Sequence, residues 1–367
     1  MGLRLLSDDE LVRGLTEALA GGPPVAPRPE PRLLAALRPD EPIAEPDAAA
    51  VVTTSGSTGA PKAVVLSRTA IRFAADATHD RLGGSGAWVC ALPTRHVAGL
   101  MTVARAVVAG APVRFVRPDL ADLPGPDGRS YISLVAAQLD RALAQPDTCA
   151  RLREQAAVLV GGSAFPASLR TRAEAAGVPV VATYGMSETC GGCVYDGVPL
   201  AGVRVELDAE RIHLGGPMAF SGYRLRPDLT AQVLAGDLVR TQDRGRWSDG
   251  RLQVLGRIDD IVISGGENVD LGSAQRVSDA EFGPGAVVLL AVPDDRWGSR
   301  IVAVTTSGLG LNEVRGRLER VLGTAATPKE LRQIPAVAYT SMGKIDRPAL
   351  VRAWQREGEH GDVGAVG

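Results

Sequence analysis

A chain of 367 residues corresponds to two or three domains at about 150 residues each, and 45% hydrophobic content supplies ample material for buried cores. Forty Lys and Arg against 42 Asp and Glu leave a formal charge of −2, which excludes a global pull toward nucleic acid or an anionic membrane surface.

The elements follow in chain order. An amphipathic helix is expected over 8–20, and Asp8, Asp9 and Glu10 stand where a signal peptide would need an apolar core. Leu6 stands where a myristoylation signal would need Ser or Thr. Residues 21–32 read as an extended Pro-rich connector. Strands over 50–54 and 63–67 flank a loop of Ser, Thr and Gly, and Ser67 can cap a helix running to 82. Then come a strand at 88–92, a helix at 97–109, a strand at 112–116, a Pro/Gly loop at 119–128 and a helix at 132–144. Residues 157–161, 166–176 and 178–183 make a strand–helix–strand unit, so the fold class is α/β with at least some parallel strands.

After about residue 201 the strands shorten and Gly and Asp turns multiply, which reads as a β-rich subdomain reaching 257. A second compositional unit starts near 259, with strands at 261–264, 287–292 and 301–304 and helices near 311–322 and 346–355. The expected organisation is a large N-terminal domain of mixed and parallel sheets over 1–258, a small mobile α+β domain over 259–355 and a disordered tail over 356–367. The apolar run at 286–292 is far shorter than the roughly 20 residues of a membrane span. Four cysteines do not make a disulfide framework in a chain of this length, and a cytoplasmic location is expected.

Only three of the forty basic residues are lysines, Lys62, Lys329 and Lys344. Arginine replaces lysine wherever charge alone suffices, so a retained lysine points to a need for a compact ammonium. Lys62 ends the segment TSGSTGAPK (54–62), whose small residues let amides and hydroxyls wrap phosphate oxygens. It is not a Walker A loop, because Pro61 precedes the lysine and Ala63 follows it. YGMSET (184–189) follows a strand and offers Glu188 as an oxygen ligand for magnesium. TQDRG (241–245) puts Asp243 at a turn suited to ribose hydroxyls, GRIDDIVISGGEN (256–268) sits on the compositional break, and GKIDR (343–347) carries Lys344 on a glycine turn. A plain loop, turn or surface lysine accounts for each of these taken singly.

In this order, across residues 53 to 347, the five motifs resemble the adenylate-forming superfamily of acyl- and aryl-CoA synthetases, adenylation domains and luciferases. The chain is shorter than most members, with the missing length before the phosphate loop. With SGGEN and PTRHVAGLM (93–101), this likeness narrows to the compact o-succinylbenzoate–CoA ligases of menaquinone biosynthesis.

The resemblance implies ATP, magnesium and coenzyme A acting on a small carboxylic acid, with no nucleic acid or membrane insertion; a homodimer is left open. It implies that Thr54, Ser55, Gly56, Ser57, Thr58, Gly59 and Lys62 cradle the outer phosphates, with Thr58 and Glu188 at the metal. Gly161, Gly162 and Ser163 would form the adenine-side loop, and Thr183, Tyr184, Gly185 and Thr189 would lie along the nucleotide. Asp243 would bind ribose, Arg257 ribose or phosphate, and Lys344 would bridge the carboxylate and the α-phosphate during adenylation. Asp259 matches the hinge, and Gly265 and Gly266 would line the pantetheine tunnel. For the acid pocket Arg95, His96 and Arg105 are candidates, with His96 taken forward. Cys190 and Cys193 read as small residues beside that pocket, since a zinc site needs two further ligands. Other readings are a ligase for another acid, an adenylation enzyme loading a carrier-protein thiol, and a nucleotide-binding relic without catalysis.

Overall fold

Ser7 opens the first helix, Asp8–Leu19, with its amide and hydroxyl both donating to the Glu10 carboxylate, the reach-back half of a capping box. In the computed structural model, which describes residues 2–45, 47–54, 61–340 and 345–361, the chain forms two units. One comprises Met1–Thr241 with Trp247–Gln253, the other Gln242–Arg246 with Val254–Gly367.

The first unit holds a sheet ordered Arg4–Leu6, Val25–Pro27, Ala48–Thr54, Lys62–Ser67 and Gly222–Tyr223. Its first three strands run parallel and the last two pairings are antiparallel. Val25–Pro27 corrects the expected connector. Val25 and Ala26 are fully buried, and that burial draws a Pro-rich stretch into a ladder despite its composition.

The central sheet has seven strands, in the order Val198–Pro199, Gly191–Tyr195, Val180–Met186, Ala157–Val160, Ser130–Leu134, Ala87–Cys90 and Val113–Phe115. The hairpin at Val180–Met186 and Gly191–Tyr195 is antiparallel, and every pairing from Val180–Met186 to Val113–Phe115 is parallel. Trp88, Tyr131 and Leu159 point into one core, while Val89, Ile132 and Val158 point into another. Both faces are therefore covered, as parallel strands require. That covering explains a second correction. The helix expected over 132–144 is the strand Ser130–Leu134 followed by the helix Ala136–Leu143, because a strand buried on both faces shows no alternation. The helix Val97–Ala109 forms as expected and closes on Gly110 in the left-handed region.

A third sheet joins Arg204–Asp208, Arg211–Gly215, Leu238–Ser248 and Leu234–Ala235, with Arg251–Arg257 beside Leu238–Ser248. In the second unit, Glu267–Asp270, Ile261–Ser264, Gly298–Thr305 and Val287–Asp294 form a sheet, with Leu331–Gln333 parallel to Gly298–Thr305. Leu271–Phe282 and Leu311–Leu322 pack on one face, and the helix Arg347–Gly361 covers the other through Leu350 and Trp354. This last helix extends beyond residue 356, where the tail was expected to begin.

Candidate active site

Parallel strands end along one edge of their sheet, and the chain collects small and polar residues there. Gly161 and Gly162 follow Ala157–Val160, the Gly161 amide donating to the Leu134 carbonyl at 3.2 Å, and Ser163 is exposed. Thr183 and Tyr184 lie near the end of Val180–Met186, half-buried, with the Thr183 hydroxyl donating to the Val160 carbonyl at 3.3 Å. At Gly185 the neighbouring strand passes so close that a Cβ would sit 2.0 Å from the Gly191 carbonyl oxygen. No larger residue fits there without parting the hairpin.

Glu188 stands in the 3₁₀ turn Ser187–Thr189 just beyond that edge and is only 8% exposed. The Tyr223 hydroxyl donates to its Oε1 at 2.6 Å, and its carbonyl accepts from the Phe220 amide at 2.9 Å. Among the described residues it forms no ion pair. The hard oxygens of a carboxylate suit magnesium, which takes one or two carboxylates and completes its shell with phosphates and water. Burial, then the adjacent carboxylate and its hydrogen bond, push the Tyr223 phenol far up, so it stays a donor. Thr189, expected along the nucleotide, instead turns inward. It is fully buried, accepting from the Met186 amide and donating to the Gly191 carbonyl, and so it shapes the turn that carries Glu188.

Ser55, Gly56, Ser57, Thr58 and Gly59 lie outside the described residues. The loop's two ends do not. Thr54 pairs with Lys62 across the hairpin of Ala48–Thr54 and Lys62–Ser67, and the Lys62 ammonium lies 5.0 Å from the centre of the Tyr223 ring.

His96 is the residue before the helix Val97–Ala109. Burial, reinforced by Arg95 and opposed by Glu30, pushes its imidazole down to about 4, so it is neutral at pH 7. Arg95 pairs with Glu30 at 3.5 Å. Arg105 differs sharply. It is 4% exposed, its guanidinium lies 5.0 Å from the Trp88 ring, and it donates to the Tyr195 hydroxyl at 3.5 Å. Its Nε has no hydrogen-bond partner among the described residues. Cys190 and Cys193 are both buried, and burial pushes the Cys193 thiol to about 12 and Cys190 further still, which leaves both inert.

The second unit carries the remaining candidates. Arg257 forks onto Asp259 at 2.7 and 2.6 Å and reaches Asp243 at 3.4 Å, and the hydrogen bond to Asp259 holds its proton more tightly than usual. Gly265 and Gly266 form the two-residue turn between Ile261–Ser264 and Glu267–Asp270, with φ of 63° and 84°. Two successive positive φ values define a turn that glycine fills without strain. Trp297 stands against this turn, since a Cβ on Gly265 would meet its ring at 2.6 Å. Lys344 lies outside the described residues; beside it, Tyr339 bridges to Ile345 and the Asp346 amide donates to the Ala338 carbonyl at 2.8 Å.

Sequence reading did not single out Tyr223. Its signal was the short Gly222-Tyr223 pair, too brief to read as a strand without knowing that it extends the Lys62–Ser67 edge.

The chain resembles known proteins at three levels. The profile of the AMP-binding enzyme family matches residues 6–238. A probable 2-succinylbenzoate–CoA ligase of Mycobacterium tuberculosis is 41% identical, over 95% of this chain and 96% of its own. The 2-succinylbenzoate–CoA ligase of Escherichia coli is 32% identical, over 83% of this chain and 68% of its own. Among solved structures, the o-succinylbenzoate CoA synthetase of Bacillus subtilis, in complex with its acyl-adenylate intermediate, has the same fold. It matches with a TM-score of 0.72 at 24% identity, over 82% of this chain and 68% of that one.

Proposed function

The chain belongs to the AMP-binding enzyme family, and from that premise we propose that it is an ATP- and magnesium-dependent ligase joining 2-succinylbenzoate to coenzyme A. The observation that carries this reading is the likeness to the mycobacterial protein along nearly the whole of both chains. In the first half-reaction a carboxylate oxygen of the acid attacks the α-phosphorus of ATP, and pyrophosphate leaves. In the second, the sulfur of coenzyme A attacks the acyl carbonyl carbon, loses its proton, and AMP leaves.

Negative charge gathers at phosphorus in the first step, so positioned positive charge governs its rate. In this reading Thr54, the segment from Ser55 to Gly59 and Lys62 hold the outer phosphates. Gly161 to Ser163 flank the adenine, and Thr183, Tyr184 and Gly185 line the nucleotide. Glu188, with Thr58, would hold magnesium, which neutralises phosphate charge when bound. Asp243 takes the ribose hydroxyls, and Arg257 exchanges its fork from Asp259 to the nucleotide. Lys344 brings the two reacting anions together, and Gly265 and Gly266 leave a path for the pantetheine arm. The domains are assigned to 1–258 and 259–355.

The acid has a second carboxylate that does not react, and Arg105 supports its recognition. A guanidinium so deeply buried, with no carboxylate partner among the described residues, lacks what would compensate its desolvation, and a substrate anion supplies it. His96, neutral at pH 7, can donate or accept one hydrogen bond at the edge of the same helix.

Incubation with ATP, magnesium, coenzyme A and 2-succinylbenzoate, followed by mass spectrometry, tests the proposal. The expected product is the succinylbenzoyl thioester, absent with Lys344→Ala. A protein that binds ATP yet forms no thioester refutes the substrate; product from other acids redirects it. A cytoplasmic location and a homodimer complete the reading. Light scattering tests the latter, against a chain mass of 38.2 kDa.

A further inference from the structure

Tyr223 joins two groups that the motifs treat separately. It lies opposite Val64 in the antiparallel pairing of Gly222–Tyr223 with Lys62–Ser67. Side chains alternate along a strand, so Lys62, two residues from Val64, presents to the same face as Tyr223. The result is the ammonium 5.0 Å from the ring centre. At the ring's far end, the hydroxyl donates to Glu188 Oε1 at 2.6 Å.

The ring itself is firmly held. Phe220 meets it edge-on with centroids 5.0 Å apart, and the Tyr223 amide donates to the Thr230 hydroxyl at 2.8 Å. The next residue, Arg224, is buried and donates to the carbonyls of Leu37, Arg38, Glu41 and Pro42. Anchoring of this kind fixes the phenol to one position, and the phenol in turn fixes the carboxylate.

We infer that Tyr223 is a positioning residue that couples the phosphate-loop lysine to the metal carboxylate, its ring seating the Lys62 ammonium and its hydroxyl holding one oxygen of Glu188. The inference rests on the assignment of Glu188 to magnesium and Lys62 to phosphate. It goes beyond that assignment in naming the side chain that keeps the two in register. The hydroxyl engages Oε1, which orients the carboxylate before a cation arrives and lowers the ordering that binding would otherwise require.

Calorimetry with ATP alone in EDTA and with ATP plus magnesium reads this directly, without turnover. Glu188→Gln must abolish the advantage of magnesium; if it does not, the metal assignment fails and the inference with it. Given that result, Tyr223→Phe should shrink the magnesium advantage by about tenfold, the size expected for losing a hydrogen bond to a charged group. The magnesium dependence of turnover should rise in parallel. Leu11→Ala, which opens the buried face of the helix Asp8–Leu19 and touches neither the ring nor the hydroxyl, should lower the melting temperature and leave the magnesium advantage intact. An unchanged advantage in Tyr223→Phe, or an equal loss in Leu11→Ala, overturns the inference while leaving the metal assignment standing. If Tyr223→Phe does not fold, chain labelled with 3-fluorotyrosine decides. Of its five tyrosine resonances, the one that persists in variants lacking each of the other four must move when magnesium joins the ATP complex, and a still resonance overturns the inference.

Discussion

Replacing Arg105 with leucine separates what the fold needs from what the substrate needs. The guanidinium is 4% exposed, has the Trp88 ring at 5.0 Å and the Tyr195 hydroxyl at 3.5 Å, and meets no carboxylate among the described residues. Desolvating such a charge costs several kcal/mol, of which the aromatic face returns about 2. Arg105→Leu should therefore melt no lower than wild type, and about 2–8 °C higher if it gains 1 or 2 kcal/mol, at roughly 2–4 °C each. Recognition should move the other way. Truncating one partner of a buried charge pair costs about 2–5 kcal/mol, so kcat/KM for the dicarboxylic acid should fall roughly 30- to 5,000-fold. An analogue lacking the second carboxylate should lose little, and Arg105→Lys, which keeps charge without the fork, should fall between. Differential scanning calorimetry and a coupled AMP-release assay give both numbers. A leucine variant that melts well below wild type while handling the dicarboxylic acid normally would refute the reasoning, since Arg105 would then be structural.

Three further outcomes are expected. Gly185→Ala places a methyl 2.0 Å from the Gly191 carbonyl, so the hairpin must open. The expected cost is about 1–3 kcal/mol in a melt, with lost ATP binding, and a wild-type melting curve would contradict it. Lys344→Ala should cut pyrophosphate exchange by orders of magnitude while chemically prepared acyl-AMP still reacts with coenzyme A; equal loss in both assays would remove its assignment to adenylation. His96 sits below its ordinary pKa of 6.5, at about 4, through burial. Protonation then favours the unfolded chain, so its contribution to stability is full above about pH 6.5 and declines toward pH 4. His96→Asn should flatten that part of the pH–stability curve.

Much of this was legible because the informative residues are short-range. Ser67 announces a cap, and its hydroxyl does accept from the Ala70 amide at 3.0 Å. The strand at Ser130–Leu134 was hidden for a physical reason: with both faces buried, Tyr131, Ile132 and Leu134 give no period to read. Val25–Pro27 was hidden because its partners, Arg4–Leu6 and Ala48–Thr54, lie far off in sequence. The same limit applies to the site. Glu188 stood out by its motif, whereas Tyr223 and the isolation of Arg105 depend on which distant chain arrives beside them. Thr189 looked like a ligand for the converse reason, since sequence does not say which way a hydroxyl turns.

The two borders of the seven-stranded sheet bear on how the protein behaves when crowded. One border is the two-residue strand Val198–Pro199, and the other is the three-residue strand Val113–Phe115 with Arg114 exposed. An unpaired strand edge is a template on which another chain can add, and brevity, a proline without an amide proton and a protruding charge all spoil that template. The wide apolar sheet is thus guarded where it would otherwise recruit copies of itself. Replacing Pro199 and Arg114 by valine would turn those borders into seeds for aggregation, with no change in the chemistry between them.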